Sequence, residues 1–329
     1  MLRLPPFEYF APTTLDETIE ILSKYGSEAM LVAGGTDVYP GMKRGLFTTK
    51  KLVALNYIAE LKTIQQLKNG ISIGAGLTLT DLSHHPLINN HYSALAKAAS
   101  LVATPHIRNM GTIGGNLCVD TRCNYYNQSE FWRESLHYCL KKDGDTCWVA
   151  PGGKRCWAIN SSDTAPIMVA LGAKVRLVGP QGERFIPVQA LYHNDGIAYL
   201  QKDPTEILVD IHLPDSTAIK MTYLKLKRRG SFDFPILGVA VALKQAEDGT
   251  CTSANIVLGA VASYPLKATN AETILIGQKP SINLIEEAAQ AAFKPAKPLD
   301  NTDMTHPYRK QMTRVYVARA LREAAGLTS

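Results

Sequence analysis

Apolar positions in the first sixty residues switch between helical and strand spacing. Pro12-Thr13-Thr14-Leu15-Asp16-Glu17 offers an N-cap threonine followed by acidic residues, which favour the positive end of a helix. Ile19, Leu22 and Tyr25 follow at helical spacing, and Gly26 supplies a stop. Residues 29–33 and 52–55 are short apolar runs of strand length. Together they predict a small α/β unit. Between them Gly34-Gly35-Thr36-Asp37 reads as a turn whose glycines let a ligand approach the backbone.

From about residue 70 the pattern changes. Ile71-Ser72-Ile73-Gly74-Ala75-Gly76 is strand-like, with Gly74-x-Gly76 read as a turn, and helices are expected over 79–82 and 91–99. A second glycine-rich segment, 111–116, follows. Asp163-Thr164-Ala165-Pro166 can cap a helix running to Leu171, and 173–178 and 207–213 read as strands. Beyond Met221, strands over 223–227, 238–243 and 254–259 precede helices over 284–293 and 308–325, the order of an α+β domain. No internal repeat is apparent.

Composition narrows the class. With 46% hydrophobic and 19% charged residues, the chain is neither disordered, collagen-like nor a disulfide scaffold. At 329 residues it exceeds what one core usually supports, so two or three domains are expected. Its longest apolar stretch, 235–243, falls short of the roughly 20 residues needed to span a bilayer. Met1-Leu2-Arg3-Leu4-Pro5-Pro6 has no apolar signal core, so a cytoplasmic protein without a membrane role is expected. The net charge of +6 is dispersed apart from Lys220, Lys225, Lys227, Arg228 and Arg229. No recognition motif accompanies that group, so it reads as a solvated face or partner surface, not a nucleic-acid site.

Five of the six cysteines lie between Cys118 and Cys156. Cys123, Cys139, Cys147 and Cys156 form C-x15-C-x7-C-x8-C, in a stretch of weak periodicity that also holds Trp132, Trp148 and Trp157. Such a long irregular segment needs something to hold it. Disulfides would suit an oxidising compartment, of which there is no sign. Zinc prefers paired cysteines two to four residues apart, which are missing here. A [4Fe–4S] cluster tolerates wide spacing because its irons occupy separate corners, and the tryptophans are expected in its apolar shell. All three readings stand on spacing alone.

Glycine-rich turns after strands can present several backbone N–H groups to one anion. The segments 33–37 and 111–116 could together hold a diphosphate, although neither is a dinucleotide-binding G-x-G-x-x-G nor a P-loop. No carboxylate pair, Ser/His/Asp set or Cys/His pair is arranged for hydrolysis. His84 and His85, preceding Pro86, read as loop residues.

Taken in order, Val32-Ala33-Gly34-Gly35-Thr36-Asp37, Ile73-Gly74-Ala75 and Ile107-Arg108-Asn109-x-Gly111-Thr112-Ile113-Gly114-Gly115-Asn116 resemble the FAD-binding medium subunits of the xanthine oxidase family of molybdenum enzymes. Asp163-x-x-Pro166, Leu171-Gly172-Ala173 and Tyr223-x-Lys225-x-x-x-Arg229 extend the resemblance over nearly the whole chain. It implies an α+β protein: a PCMH/VAO-type FAD-binding half over 1–218, in subdomains 1–58 and 59–218, then a CO-dehydrogenase-flavoprotein-like α+β domain over 219–329. The FAD contacts it implies are Leu31, Val32, Ala33, Gly34, Gly35, Thr36, Asp37 and Val38, then Thr112, Ile113, Gly114, Gly115 and Asn116. Val102, Asp163, Leu208 and Lys225 are the matching single contacts. His106 stands where relatives often carry Gln, and Cys118 where they carry a small residue, so Cys118 reads as packing.

Relatives pass from the Gly-Gly-Asn segment to the Asp within about ten residues, whereas here roughly forty more intervene, an inserted loop over about 118–158. That loop is similar to the cluster-bearing loop of the β subunits of 4-hydroxybenzoyl-CoA reductases, and this similarity favours a [4Fe–4S] cluster on Cys123, Cys139, Cys147 and Cys156. The resemblance implies an electron-transfer subunit in a hetero-oligomer. Its partners would be a molybdopterin-binding large subunit and a small subunit with two [2Fe–2S] clusters, with ferredoxin as donor. The activity implied is reductive dehydroxylation of 4-hydroxybenzoyl-CoA to benzoyl-CoA in aromatic degradation. Two alternatives are a hydroxylase subunit passing electrons outward to NAD or a quinone, and a non-catalytic flavoprotein scaffold with a structural zinc loop.

Overall fold

The computed structural model describes residues 2–230 and 232–327. Three sheets organise them. In the first, β1 (Glu8–Phe10), β2 (Ala29–Val32) and β3 (Lys51–Ala54) run parallel in the order β1-β3-β2. The connecting helix α1 (Leu15–Tyr25) starts where Thr14 Oγ1 accepts from the Glu17 amide, 3.2 Å, and ends at Gly26, whose φ of 52° suits a residue without a Cβ. Between β2 and β3 lies α2 (Val38–Lys43), which carries Pro40 and Gly41 and so gives little helical signal in the sequence.

The second unit contains β4 (Ile64–Leu67) and β5 (Gly70–Gly74), then the short helices α3 (Leu79–His84), α4 (Pro86–His91), α5 (Ser93–Ser100), α6 (Pro105–Arg108), α7 (Ile113–Leu117), α8 (Glu130–Ser135) and α9 (Thr164–Ala170). It closes with β6 (Lys174–Gly179), β7 (Gly182–Pro187) and β8 (Ile207–Pro214), giving an antiparallel sheet ordered β4-β5-β8-β6-β7. The helix expected over 91–99 is broken at Tyr92, where φ is −134° and ψ 47°, because its ring turns into the core and its hydroxyl donates to Pro214 O at 2.8 Å. Of the two histidines expected in a loop, His85 lies in one and His84 does not. His84 ends α3, with Nδ1 2.8 Å from Thr80 O, and His85 joins α3 to α4. Gly74 and Gly76 mark a close approach as well as a turn, since a Cβ on either would strike the Leu61 backbone.

In the third unit β9 (Ile219–Leu226), β10 (Leu237–Gln245), β11 (Cys251–Gly259) and β12 (Leu266–Lys267) form an antiparallel sheet ordered β12-β11-β10-β9. Helices α10 (Thr269–Leu275), α11 (Ile282–Phe293) and α12 (His306–Ala325) cover one face. The unbroken apolar run of β10 has a simple cause. Ala240 and Ala242 face α9 and the second unit's core, while Val239, Val241 and Leu243 face the C-terminal helices. Wholly buried α9 is therefore the wedge between the two cores, and Ile167 and Met168 each contribute about 1.5–3 kcal/mol by burial. Among the described residues no helix is long and apolar enough to cross a membrane.

Candidate cofactor site

The two glycine-rich segments meet. A Cβ on Gly34 would collide with the Met110 carbonyl and lie 3.0 Å from Gly111 Cα. Gly111 in turn hydrogen-bonds through its carbonyl to the Leu79 amide, 2.9 Å, and the Ile113 amide donates to Leu77 O, 3.0 Å. The turn after β2 thus rests directly on the segment leading into α7.

Their backbones are used differently. Among the described residues no acceptor meets the N–H groups of Gly34, Gly35, Thr36 and Asp37. That unfilled set suits an anionic group such as a diphosphate. In the second segment the amides are engaged. Gly114 donates to Ala75 O at 2.8 Å, Gly115 to Thr112 Oγ1 at 3.1 Å and Asn116 to Thr112 O at 2.9 Å, so 113–117 is a capped helix and not an open loop. A Cβ on Gly114 would also crowd Ala75 Cβ, 2.7 Å. Gly35 needs its glycine for a local reason, with φ at 69° and the Tyr39 ring filling the Cβ position.

The remaining expected contacts fall into two groups. Asn116 Oδ1 accepts from Ser162 Oγ (2.8 Å) and Thr164 Oγ1 (2.6 Å), tying α7 to the start of α9. Asp163 does not cap α9 with its side chain. Its carboxylate accepts from Tyr223 Oη and Lys225 Nζ, both at 2.8 Å, and Lys225 also donates to Leu101 O beside Val102. Burial pushes the Asp163 carboxyl up, while the Lys225 charge and the Tyr223 hydroxyl pull it down. Lys225 is 1% exposed, so it has no surface role. Leu208 lies in the core on β8, and Leu31, Val32 and Val38 pack into the first unit. Of the remaining basic group, Arg228 pairs with Asp303 and Arg229 with Asp233.

The inserted segment is tied to the turn after β2 through the Arg122–Asp37 ion pair. Cys123, Cys139, Cys147 and Cys156 are all buried and free of disulfides. Cys123, Cys139 and Cys156 share an apolar cluster with Leu46, Tyr126 and Ala158, flanked by Phe47, Tyr125 and Val149. Burial pushes the Cys123 thiol up to about 12, with Cys156 and Cys139 adding to the rise while the amides of Tyr125 and Tyr126 oppose it. Cys156 is raised to about 11, again chiefly by burial, with Cys147 and Cys139 adding to the rise. Three of the four thiols thus share one apolar cluster, and Cys147 is buried outside it. Yet among the described residues no three His, Cys, Asp or Glu side chains converge on a single ion position, an arrangement unsuited to one zinc ion. Four buried cysteines are the donor type that an iron–sulfur cluster takes. Cys118 packs beside the second unit's core, apart from that cluster.

The tryptophans do not form the expected shell. Trp132 and Trp148 are 37% and 39% exposed, and the Arg155 guanidinium lies over the Trp157 ring at 3.6 Å. Leu46 and Phe47, distant in sequence, take their place. The backbone around Cys139 is contorted, since His137, Tyr138 and Asp143 all have φ near 60°. Sequence reading missed Arg122, whose guanidinium pairs with the Asp37 carboxylate and stacks at 4.5 Å on Phe234 of the third unit. Its one sequence signal is its place beside Cys123.

Comparison with known proteins agrees with this architecture. Residues 5–216 match the family model for the FAD binding domain in molybdopterin dehydrogenase, and residues 221–324 that for the CO dehydrogenase flavoprotein C-terminal domain. The chain is 28% identical to the carbon monoxide dehydrogenase medium chain of Hydrogenophaga pseudoflava, covering 97% of each. It is 30% identical to the nicotinate dehydrogenase FAD-subunit of Eubacterium barkeri, covering 85% of this chain and 83% of that one. A chain in the solved carbon monoxide dehydrogenase from Hydrogenophaga pseudoflava lacking the Mo-pyranopterin moiety superimposes with a TM-score of 0.81 at 27% identity, covering 99% of this chain and all of that one. A two-domain FAD-binding and C-terminal flavoprotein fold is thus established, and the chain belongs to the FAD-binding medium subunits of the xanthine oxidase family of molybdenum enzymes.

Proposed function

We propose that this chain is the FAD- and [4Fe–4S]-bearing electron-transfer subunit of a molybdenum reductase that dehydroxylates 4-hydroxybenzoyl-CoA to benzoyl-CoA. The observation that carries the cluster is the set of four buried, unbridged thiols, three of them in one apolar cluster, next to the residue that pairs with the turn after β2. When bound, FAD supplies exchange between one- and two-electron carriers, and a cluster supplies one-electron relay. In this reading residues 1–218 hold FAD, with the diphosphate on the free amides of Gly34 to Asp37, and 219–329 form the second domain. Cys123, Cys139, Cys147 and Cys156 hold the cluster. The assembly would include a molybdopterin-binding large subunit, a small subunit with two [2Fe–2S] clusters, and reduced ferredoxin as donor.

A second reading is an FAD subunit that passes electrons outward to NAD or a quinone. It is favoured by the relatives, which are named as dehydrogenases. Anaerobic iron, acid-labile sulfide, zinc and flavin contents, with EPR after reduction, come first. About four irons and four sulfides per FAD are expected for a cube on four thiolates. Cys139→Ser should lose or convert that cluster and keep its FAD. Zinc without sulfide would overturn the cluster. A full cluster in an enzyme that reduces NAD but leaves 4-hydroxybenzoyl-CoA untouched would overturn the direction.

A further inference from the structure

Beside the cysteine cluster lies a buried ion pair, Asp120–Lys141. The Lys141 and Asp120 side chains are 7% and 13% exposed. Lys141 Nζ donates to Asp120 Oδ1 (2.5 Å), Thr121 Oγ1 (2.5 Å) and Gly196 O (2.9 Å). It also lies 4.4 Å from the centre of the Tyr126 ring, a member of the same apolar cluster as Cys123, Cys139 and Cys156. Asp120 accepts from Tyr126 Oη at 2.8 Å through its second oxygen. Gly196 is the physical link to the thiols. A Cβ there would sit 2.7 Å from Cys156 Sγ, and its amide donates to Cys156 O at 3.0 Å. The ammonium is thus fixed one residue's thickness from one candidate ligand and two positions along the chain from another.

Burying two charges is expensive, and such pairs are often no better for stability than apolar residues of the same volume. Their position suggests a different use. Adding one electron to a centre held by four thiolates adds one negative charge to a dry pocket, and a nearby cation favours that change while an anion opposes it. We propose that Lys141 and Asp120 are positioning residues that set the reduction potential of the centre in the cysteine pocket, Lys141 raising it and Asp120 lowering it. This inference rests on the cluster reading above.

The test is a reductive titration with dithionite and mediator dyes, followed by EPR and visible absorbance, on the full chain purified anaerobically in its native assembly. The electron comes from dithionite, and the readout is the midpoint potential, not turnover. Lys141→Met should shift it to more negative values, Asp120→Asn to more positive values, and Lys141→Arg should stay near the wild type. The opposite signs separate electrostatics from damage, because opening the pocket to water moves both variants in the same direction. Midpoints that do not move, or that move together, in proteins retaining four irons would overturn the inference and leave the cluster standing. Absence of iron and sulfide from the wild type would overturn both.

Discussion

Gly34→Ala tests whether the turn after β2 and the segment before α7 form one rigid unit. The new Cβ would collide with the Met110 carbonyl oxygen, 2.5 Å from its carbon and 3.0 Å from Gly111 Cα. Since comfortable carbon contacts begin near 3.5 Å, one segment must retreat by about 1 Å. Overpacking of this kind costs about 1–3 kcal/mol. Where that cost falls depends on when the two segments must be in register. If they are locked together before FAD arrives, the flavin-free chain loses stability and its urea midpoint falls. If FAD completes their alignment, the same energy weakens binding by roughly 5- to 150-fold.

Both quantities are measurable on one preparation. Urea unfolding of the flavin-free protein gives the first, and quenching of flavin fluorescence on titration gives the second. The sum of the two losses should reach at least about 1 kcal/mol. Gly152→Ala is the control, because nothing lies within 4 Å of its Cβ position, and it should change either quantity by less than about 0.5 kcal/mol. A Gly34→Ala protein with wild-type stability and wild-type FAD affinity would show that the contact between the segments carries no weight.

Other expectations concern charges placed by the same fold. Lys225→Met leaves the Asp163 carboxylate buried with Tyr223 as its one hydroxyl donor and should cost about 3–5 kcal/mol in urea unfolding, part of it regained by adding Asp163→Asn. A single variant as stable as the wild type would mean that Asp163 has other means of neutralisation. Glu206 is held by two bonds from Arg184, 2.6 and 2.9 Å, which lower its carboxyl below the usual 4.5. Its stabilisation is therefore present above about pH 4.5 and lost as pH falls through the folded value. Because Arg184 is 44% exposed, Glu206→Gln should cost less than about 1 kcal/mol at pH 7 and nothing in strong acid, as read from thermal unfolding across pH. A deficit that persists in acid would assign the effect to packing.

Much of the fold is legible because local signals agree with burial. Thr14 and Gly26 bracket α1 as cap and stop, and the apolar run of β10 is long because both faces are covered. The failures have equally local causes. Tyr92 breaks a helix that propensity would continue, since a partner 122 positions away takes its hydroxyl. β7 is exposed along most of its length and so carries no apolar pattern. In the candidate site, glycines and cysteines announce themselves by type. Their partners do not, because Arg122 and Asp37 meet across 85 positions. Residue type also misplaced the tryptophans: large apolar rings are usually inside, yet Trp132 and Trp148 face outward here while Leu46 and Phe47 line the thiols.

The inserted segment is held at its base by both flanking units. Arg122 joins the first unit's turn to Phe234, the Asn124 amide donates to Asn301 O at 2.9 Å, and Asn301 Nδ2 donates to Trp157 O at 2.6 Å. A loop needed only to fill a gap could achieve this with an ordinary apolar interior. A free cysteine is itself a small apolar side chain, so four buried thiols alone decide little. More telling is the ion pair removed from water that accompanies them, since burying such a pair gains little for stability. Under the proposed reading that pair acts on the charge of a centre held by the cysteines; without one it is a structural contact, and the shift in midpoint potential separates the two.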